Sequence, residues 1–169
     1  MPDKLNSPVI LTKEHDVTQF DCGKPALNNY LLKNALDNTL NNSSKCYVTT
    51  KGNKVVGYYC LSVCSVEKVS APPRIGQGLG GYPVPLILIT RLAVDLTAQN
   101  KGIGSSLLMN ALLMSIQVSA KVGVRGIIVH AKDEQAKEFY LKYGFEPSPI
   151  DSLHLYILIK DIKKTLDLD

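Results

Sequence analysis

The stretch Gln99-Asn100-Lys101-Gly102-Ile103-Gly104 combines residue types and spacing that suit it to hold a phosphate. An extended apolar run, Pro85 to Val94, leads into it, and a helical pattern, Ser105 to Val122, leads out. A strand that feeds a glycine-rich turn into a helix leaves several N–H groups of the first turn without intrahelical acceptors. Those donors lie at the positive end of the helix dipole, and the two effects together favour an anion. Gly102 and Gly104 let the backbone approach, where a side chain would hold the phosphate away. Lys101 places a cation at the rim and Ser105 a hydroxyl at the helix start. The turn is not a Walker A loop, because no Gly-Lys-Ser/Thr follows the glycines at the required spacing.

Such a turn needs a scaffold, and the chain on either side supplies one. Pro8 to Leu11 reads as a short first strand, followed by a brief helix toward Phe20 with Thr12 or Asp16 as its cap. A longer helix starts near Lys24-Pro25 and presents Leu27, Tyr30, Leu31, Asn34 and Ala35 on one face. Cys46 to Thr50 and Val55 to Val66 form a hairpin around Gly52-Asn53. A Pro/Gly-rich loop, Ala71 to Pro85, precedes the central strand, Leu86 to Val94. The helix after the glycine-rich turn is apolar nearly all round, which implies deep burial, and Gly123 ends it. Val124 to His130 is a continuous apolar run, as in a parallel strand covered on both faces. Ala136, Phe139, Tyr140 and Tyr143 recur at helical spacing up to Gly144, and Leu153 to Ile159 alternate as a last strand. The expected fold class is α/β (α+β): a mixed central sheet with helices on both faces, built around one βαβ unit.

At 169 residues the chain fits one domain, 1–169, able to bury about two thirds of its unfolded surface. Hydrophobic content of 45% and charged content of 20% are those of an ordinary globular chain. The 19 Lys+Arg against 15 Asp+Glu give +4, which permits a polyanionic partner without demanding one. No secretory leader is legible at Met1-Pro2-Asp3-Lys4, and the longest apolar run is too short to span a bilayer, so a cytoplasmic protein with no membrane partner is expected. Cys60 and Cys64 share one face of a strand about 13 Å apart, too far for a disulfide or a compact metal clamp. With Cys22 and Cys46 they read as reduced, partly buried thiols, and no metal is expected.

The turn matches Q/R-x-x-G-x-G/A, the acetyl-CoA pyrophosphate loop of the GNAT acetyltransferase superfamily, and Phe139-Tyr140 to Gly144-Phe145 resembles its FYxxxGF segment. The order of elements is also that of the GNAT fold. Phe20-Asp21-Cys22-Gly23, Pro83-Val84-Pro85, Arg91-Leu92-Ala93-Val94-Asp95, His130-Ala131, Phe145 to Pro149 and Leu153-His154-Leu155 narrow the likeness. Together they resemble the acetyltransferase toxins of bacterial toxin–antitoxin pairs, from about Val9 to Lys163. One departure is Asn100, where that family commonly has Gly. The resemblance implies acetyl-CoA as the acetyl donor and the α-amino group of an aminoacyl-tRNA as acceptor, so that acetylation stops translation. It also implies a ribbon-helix-helix antitoxin and leaves room for a homodimer.

By the same resemblance, Gln99, Asn100, Lys101, Gly102, Ile103, Gly104 and Ser105 hold the pyrophosphate, and the backbone of Leu92, Ala93 and Val94 pairs with pantetheine like an added strand. Tyr140 falls where the family places the acid that serves the departing thiolate. A phenol near ~10 facing a thiol near ~8.5 makes full transfer uphill by roughly 2 kcal/mol, so Tyr140 either has a lowered pKa or acts mainly as a hydrogen-bond donor. Asp95, His130 and Asp133 are candidate bases, each with a plain structural role available. An α-amine, with a reference pKa near ~8, makes a base less necessary than a lysine near ~10.4 would. Candidate tRNA phosphate contacts are Lys33, Lys45, Arg74 and Arg91; Arg74 is favoured by its loop, whereas Arg91, within an apolar strand, could be paired internally. Two other readings stay open: a GNAT acting on a small amine or a protein N-terminus, and a non-catalytic acyl-CoA-binding module.

Overall fold

The computed structural model describes residues 4–168, so Met1–Asp3 and Asp169 of the expected domain lie outside the described residues. Seven strands form one mixed sheet in the order β1-β2-β3-β4-β5-β7-β6. They are β1 (Val9–Ile10), β2 (Lys45–Lys51), β3 (Lys54–Val66), β4 (Val84–Val94), β5 (Gly126–His130), β6 (Glu146–Pro147) and β7 (His154–Leu158). The helices are α1 (Pro25–Lys33), α2 (Ala35–Leu40), α3 (Pro73–Gly76), α4 (Ile103–Ser119), α5 (Glu134–Leu141) and α6 (Ile159–Thr165). The expected central strand is the fourth of seven, and the GNAT-like order of elements is present.

By contacts the chain forms two compact units. The first, residues 4–62 with 90–111, carries the glycine-rich turn. Its β2–β3 hairpin closes through Gly52-Asn53, with Lys51 opposite Lys54, as the turn chemistry requires. Tyr58 and Cys60 pack on one side with Phe20, Tyr30, Leu31 and Ala35, burying the inner faces of α1 and α2. Gly57 and Tyr59 look the other way: a Cβ on Gly57 would meet Leu107 and Ile103, and the Tyr59 hydroxyl bonds Asn110 on α4. Helices therefore cover both faces of these strands. Cys46 lies directly opposite Cys60, a pairing between strands that spacing along one strand cannot show. All four cysteines are free thiols.

The second unit comprises residues 63–89 and 112–168. Here β4 and β5 pair in parallel from Leu86↔Gly126 to Ile89↔Val129, and β7 pairs antiparallel with β5. A cluster of Ala71, Ile75, Val84, Leu86, Ile128, Tyr156 and Leu158 seals the α3 segment onto these strands. Gly126 is obligatory there, because a Cβ would run into the carbonyl oxygen of Ile157 on β7.

Four local expectations are corrected. Residues 12–20 form turns rather than a brief helix, because Asp16 accepts from the backbone and hydroxyl of Thr18 and so draws the chain into an Asx turn. The longer helix breaks at Asn34 into α1 and α2. Helix α4 stops at Ser119, four residues before Gly123, and Leu113 on it is exposed. The chain after β7 is a helix, α6, fixed by burial of Ile159 and Ile162.

Candidate active site

The glycine-rich turn is shaped by two left-handed residues. Asn100 has φ 64° and Gly102 φ 80°, and α4 begins at Ile103. Alternation of left- and right-handed backbone turns successive N–H groups to one side, a concavity that suits an anion. Gly102 is needed for its φ, and the space a Cβ would occupy there is open. Asn tolerates the left-handed region better than most residues, so Asn100 can stand where the resembling family has Gly. Ile103 is buried beneath the turn, while Gln99, Asn100, Lys101 and Gly102 are exposed and Gly104 and Ser105 half-buried.

The turn is held from behind. The Gln99 amide donates to the Val94 carbonyl at 2.9 Å and reaches the Cys22 carbonyl at 3.4 Å, and Lys101 Nζ reaches the Thr97 carbonyl at 3.3 Å. Asp95 is 3% exposed, accepts from the Thr97 N–H (2.9 Å) and hydroxyl (2.7 Å) on one oxygen, and from the Asp21 N–H (3.0 Å) on the other. Burial opposes its charge, but the hydrogen bonds from Thr97 and Asp21 outweigh that and hold its carboxyl below the ordinary range. Asp21 in turn accepts from Gly23 N–H and Asn28, and its carbonyl accepts from Leu96 N–H. The Phe20–Gly23 segment thus braces the chain that enters the turn. The sequence offers Asp95 as a candidate base or a turn residue; its partner lies 74 residues away, and no local pattern announces it.

Tyr140 lies in the second unit, on α5, with 6% of its surface exposed. Its ring packs edge-on to Phe139 (5.1 Å) and Phe145 (5.5 Å). Burial pushes its phenol well above the usual value. A raised value is opposite to the lowered pKa that full proton transfer from Tyr140 would need. Asp133 caps α5 through Ala136 N–H at 2.8 Å, its plain structural role. His130 stacks on His154 with ring centres 4.0 Å apart, and His154 faces Asp151 at 3.3 Å. Burial and the neighbouring His154 lower the His130 pKa against the pull of Asp151, so its ring is neutral at pH 7.

Three of the four candidate phosphate contacts are engaged internally. Lys45 Nζ donates to the Thr39 carbonyl and Asn42 at the end of α2. The Arg91 guanidinium lies 3.5 Å over the Tyr30 ring. Arg74, expected on a free loop, sits on α3 and pairs with Asp161 at 3.0 Å and Glu146 at 3.6 Å. Lys33 is exposed. Among the described residues no group of three or more His, Cys, Asp or Glu is placed to hold a metal, and no helix is long and apolar enough to cross a membrane.

The acetyltransferase (GNAT) domain family matches residues 42–147, which include the turn and Tyr140. The chain belongs to the GNAT acetyltransferase family. This GNAT chain is 42% identical to a tRNA-acetylating toxin of Mycobacterium tuberculosis over 158 residues, 94% of this chain and 95% of the relative. Among solved structures it is similar to AtaT complexed with acetyl-methionyl-tRNAfMet, with TM-score 0.88 and 29% identity over 96% of this chain and 99% of that one. A tyrosine-to-phenylalanine mutant of AtaT, bound to the C-terminus of the antitoxin AtaR and to acetyl-CoA, matches with TM-score 0.83 and 28% identity over 98% and 99%.

Proposed function

We propose that this protein is an acetyl-CoA-dependent N-acetyltransferase toxin that acetylates the α-amino group of aminoacyl-tRNA and so blocks translation. The observation that carries the reading is 42% identity to a tRNA-acetylating toxin across nearly the full length of both chains. Acetyl-CoA supplies the activated thioester. Backbone N–H groups from Gln99 to Ser105 hold its pyrophosphate, with Lys101 at the rim, and Leu92 to Val94 pair with the pantetheine. Tyr140 donates a hydrogen bond to the sulfur as negative charge develops on it. The carboxylates of Asp95 and Asp133 are committed to backbone N–H groups, which leaves the neutral His130 ring as the remaining candidate base. A base is less necessary for an α-amine, which at pH 7 loses its proton at a cost of about 1.4 kcal/mol, against roughly 4.6 for a lysine.

The reading takes the chain as a single acetyltransferase domain acting in the cytoplasm. Its partner is an antitoxin of ribbon-helix-helix type whose tail covers the toxin, and a homodimer is compatible with it. Among the described residues only Arg74 of the four candidate phosphate contacts has its charge paired with carboxylates, so the reading keeps Lys33, Lys45 and Arg91. The deciding experiment incubates the protein with acetyl-CoA and charged tRNA. N-acetyl-aminoacyl-tRNA and free CoA are expected in equal amounts. Acetylation of free amines with no product on charged tRNA would replace the toxin with a small-amine enzyme, and binding without CoA release would leave only a binding module.

A further inference from the structure

Helix α6 carries three lysines that no carboxylate pairs among the described residues. Lys160, Lys163 and Lys164 are spaced i, i+3, i+4 and share one side, while Ile159 and Ile162 are buried. Lys163 and Lys164, in the last turn, are favoured by the helix dipole. Lys160 is not: a cation in the first turn faces the positive end. None of the three makes an ion pair among the described residues. The carboxylate on their own helix, Asp161, is taken by Arg74 through both oxygens, at 3.2 and 3.0 Å.

A fourth cation completes the patch. Arg125, just before β5, donates Nε to the Ile75 carbonyl and a terminal nitrogen to the Gln77 carbonyl, each at 2.7 Å. Those acceptors are neutral, so they fix the guanidinium without cancelling its charge. Val124, Arg125, Leu158, Ile159, Lys160 and Lys163 line a hollow of about 240 Å³ with no carboxylate in its wall. Arg125 and the three lysines carry as much charge as the formal net charge of the whole chain, +4. Asp167, beyond the helix end, pairs with none of them.

We propose that the α6 lysine face and the Arg125 hollow form a docking surface for the phosphate backbone of tRNA. A fixed arginine beside lysines without carboxylate partners, on an apolar floor, suits a polyanion read by charge and not by sequence. The assignment deepens the proposed function and rests on it for the choice of tRNA over other polyanions. It also accounts for a substrate that must be held although Arg74 is paired with Asp161 and Glu146.

The test uses the full chain and the triple variant Lys160→Ala/Lys163→Ala/Lys164→Ala, with the Lys→Arg triple as the charge-conserving control. The lysines are exposed or half-buried, and equal melting temperatures verify the fold. With charged tRNA the alanine triple should raise KM about tenfold or more, leave kcat unchanged, and lower the slope of log KM against log salt by about 2, near 0.7–0.9 per lost contact. The arginine triple should restore both, and a charged oligonucleotide carrying only the 3′ end should be acetylated equally by all three. An unchanged KM and salt slope, with wild type acetylating charged tRNA, overturns the proposal. So does a variant that loses affinity for duplex DNA but keeps it for uncharged tRNA. If wild type acetylates no charged tRNA while uncharged tRNA binding still falls in the alanine triple, the docking surface stands and the catalytic reading fails.

Discussion

At Tyr140 a single oxygen separates a catalyst from a packing residue. The ring is fixed between Phe139 and Phe145, and burial keeps its proton in place. Tyr140→Phe retains the ring and removes only the donor, so kcat should fall about 10²–10³-fold, as loss of one transition-state donor commonly does. Acetyl-CoA affinity should stay nearly constant, because the bond matters most as the thiolate forms. A stopped-time assay of CoA release beside calorimetry reads both, and turnover within threefold of wild type would return Tyr140 to the core. Asn100 poses a backbone question instead. With φ at 64°, Asn100→Gly should bind acetyl-CoA as wild type does, whereas Asn100→Val should lose about 1–2 kcal/mol of stability in urea melts and weaken acetyl-CoA binding. Equal stability of the two variants would mean that the left-handed turn does not define the site.

Among elements, the β5–β7 pair carries its own pH response. Register sets His130 opposite His154, so the two imidazoles stack and only one has Asp151 beside it. Above the ordinary value of 6.5 the His130 ring is neutral in both folded and unfolded chains. Below it the unfolded chain takes up the proton first, because the folded value is lowered by burial and by His154. Stability therefore falls with pH from 6.5 down to the folded pKa and stays level below it as far as this group is concerned. A wild-type melting temperature that drops between pH 7.5 and 5.5, with a smaller drop in His130→Gln, is the expected result. Equal slopes would assign the acid response to other groups. Asp95 answers in a different window: its lowered carboxyl stabilises the fold above the ordinary 3.8 and loses that contribution only as pH falls further.

For the whole molecule, acetyl-CoA binding is a stability measurement as well as a function. Ligand at one hundred times its Kd should add about 2.7 kcal/mol to the folded state, visible as a raised melting temperature. Gly104→Glu puts an anion in the proposed phosphate cradle and should abolish that shift while the ligand-free protein melts as wild type; an undiminished shift would move the pyrophosphate elsewhere. The sequence by itself determined the strand, turn and helix of the cradle, the parallel strand after it and the helix bearing Tyr140. These depend on periodicity, glycine and capping, which are local properties of the chain. It also carried the family likeness, since motif spacing is likewise local. Only the tertiary structure decided what the charges do. Arg74 meets Asp161 at a separation of 87 residues, Asp95 meets Asp21 at 74, and Arg125 meets Ile75 at 50. The helix that ends the chain was equally illegible, since seven residues with two buried isoleucines show too little periodicity to distinguish a short helix from the end of a strand. A side chain's partner is set by which strands lie side by side, and no pattern along one segment records that. The same reason makes Arg74, the most inviting phosphate contact in the sequence, an internal ion pair, and leaves the lysines of α6 facing outward.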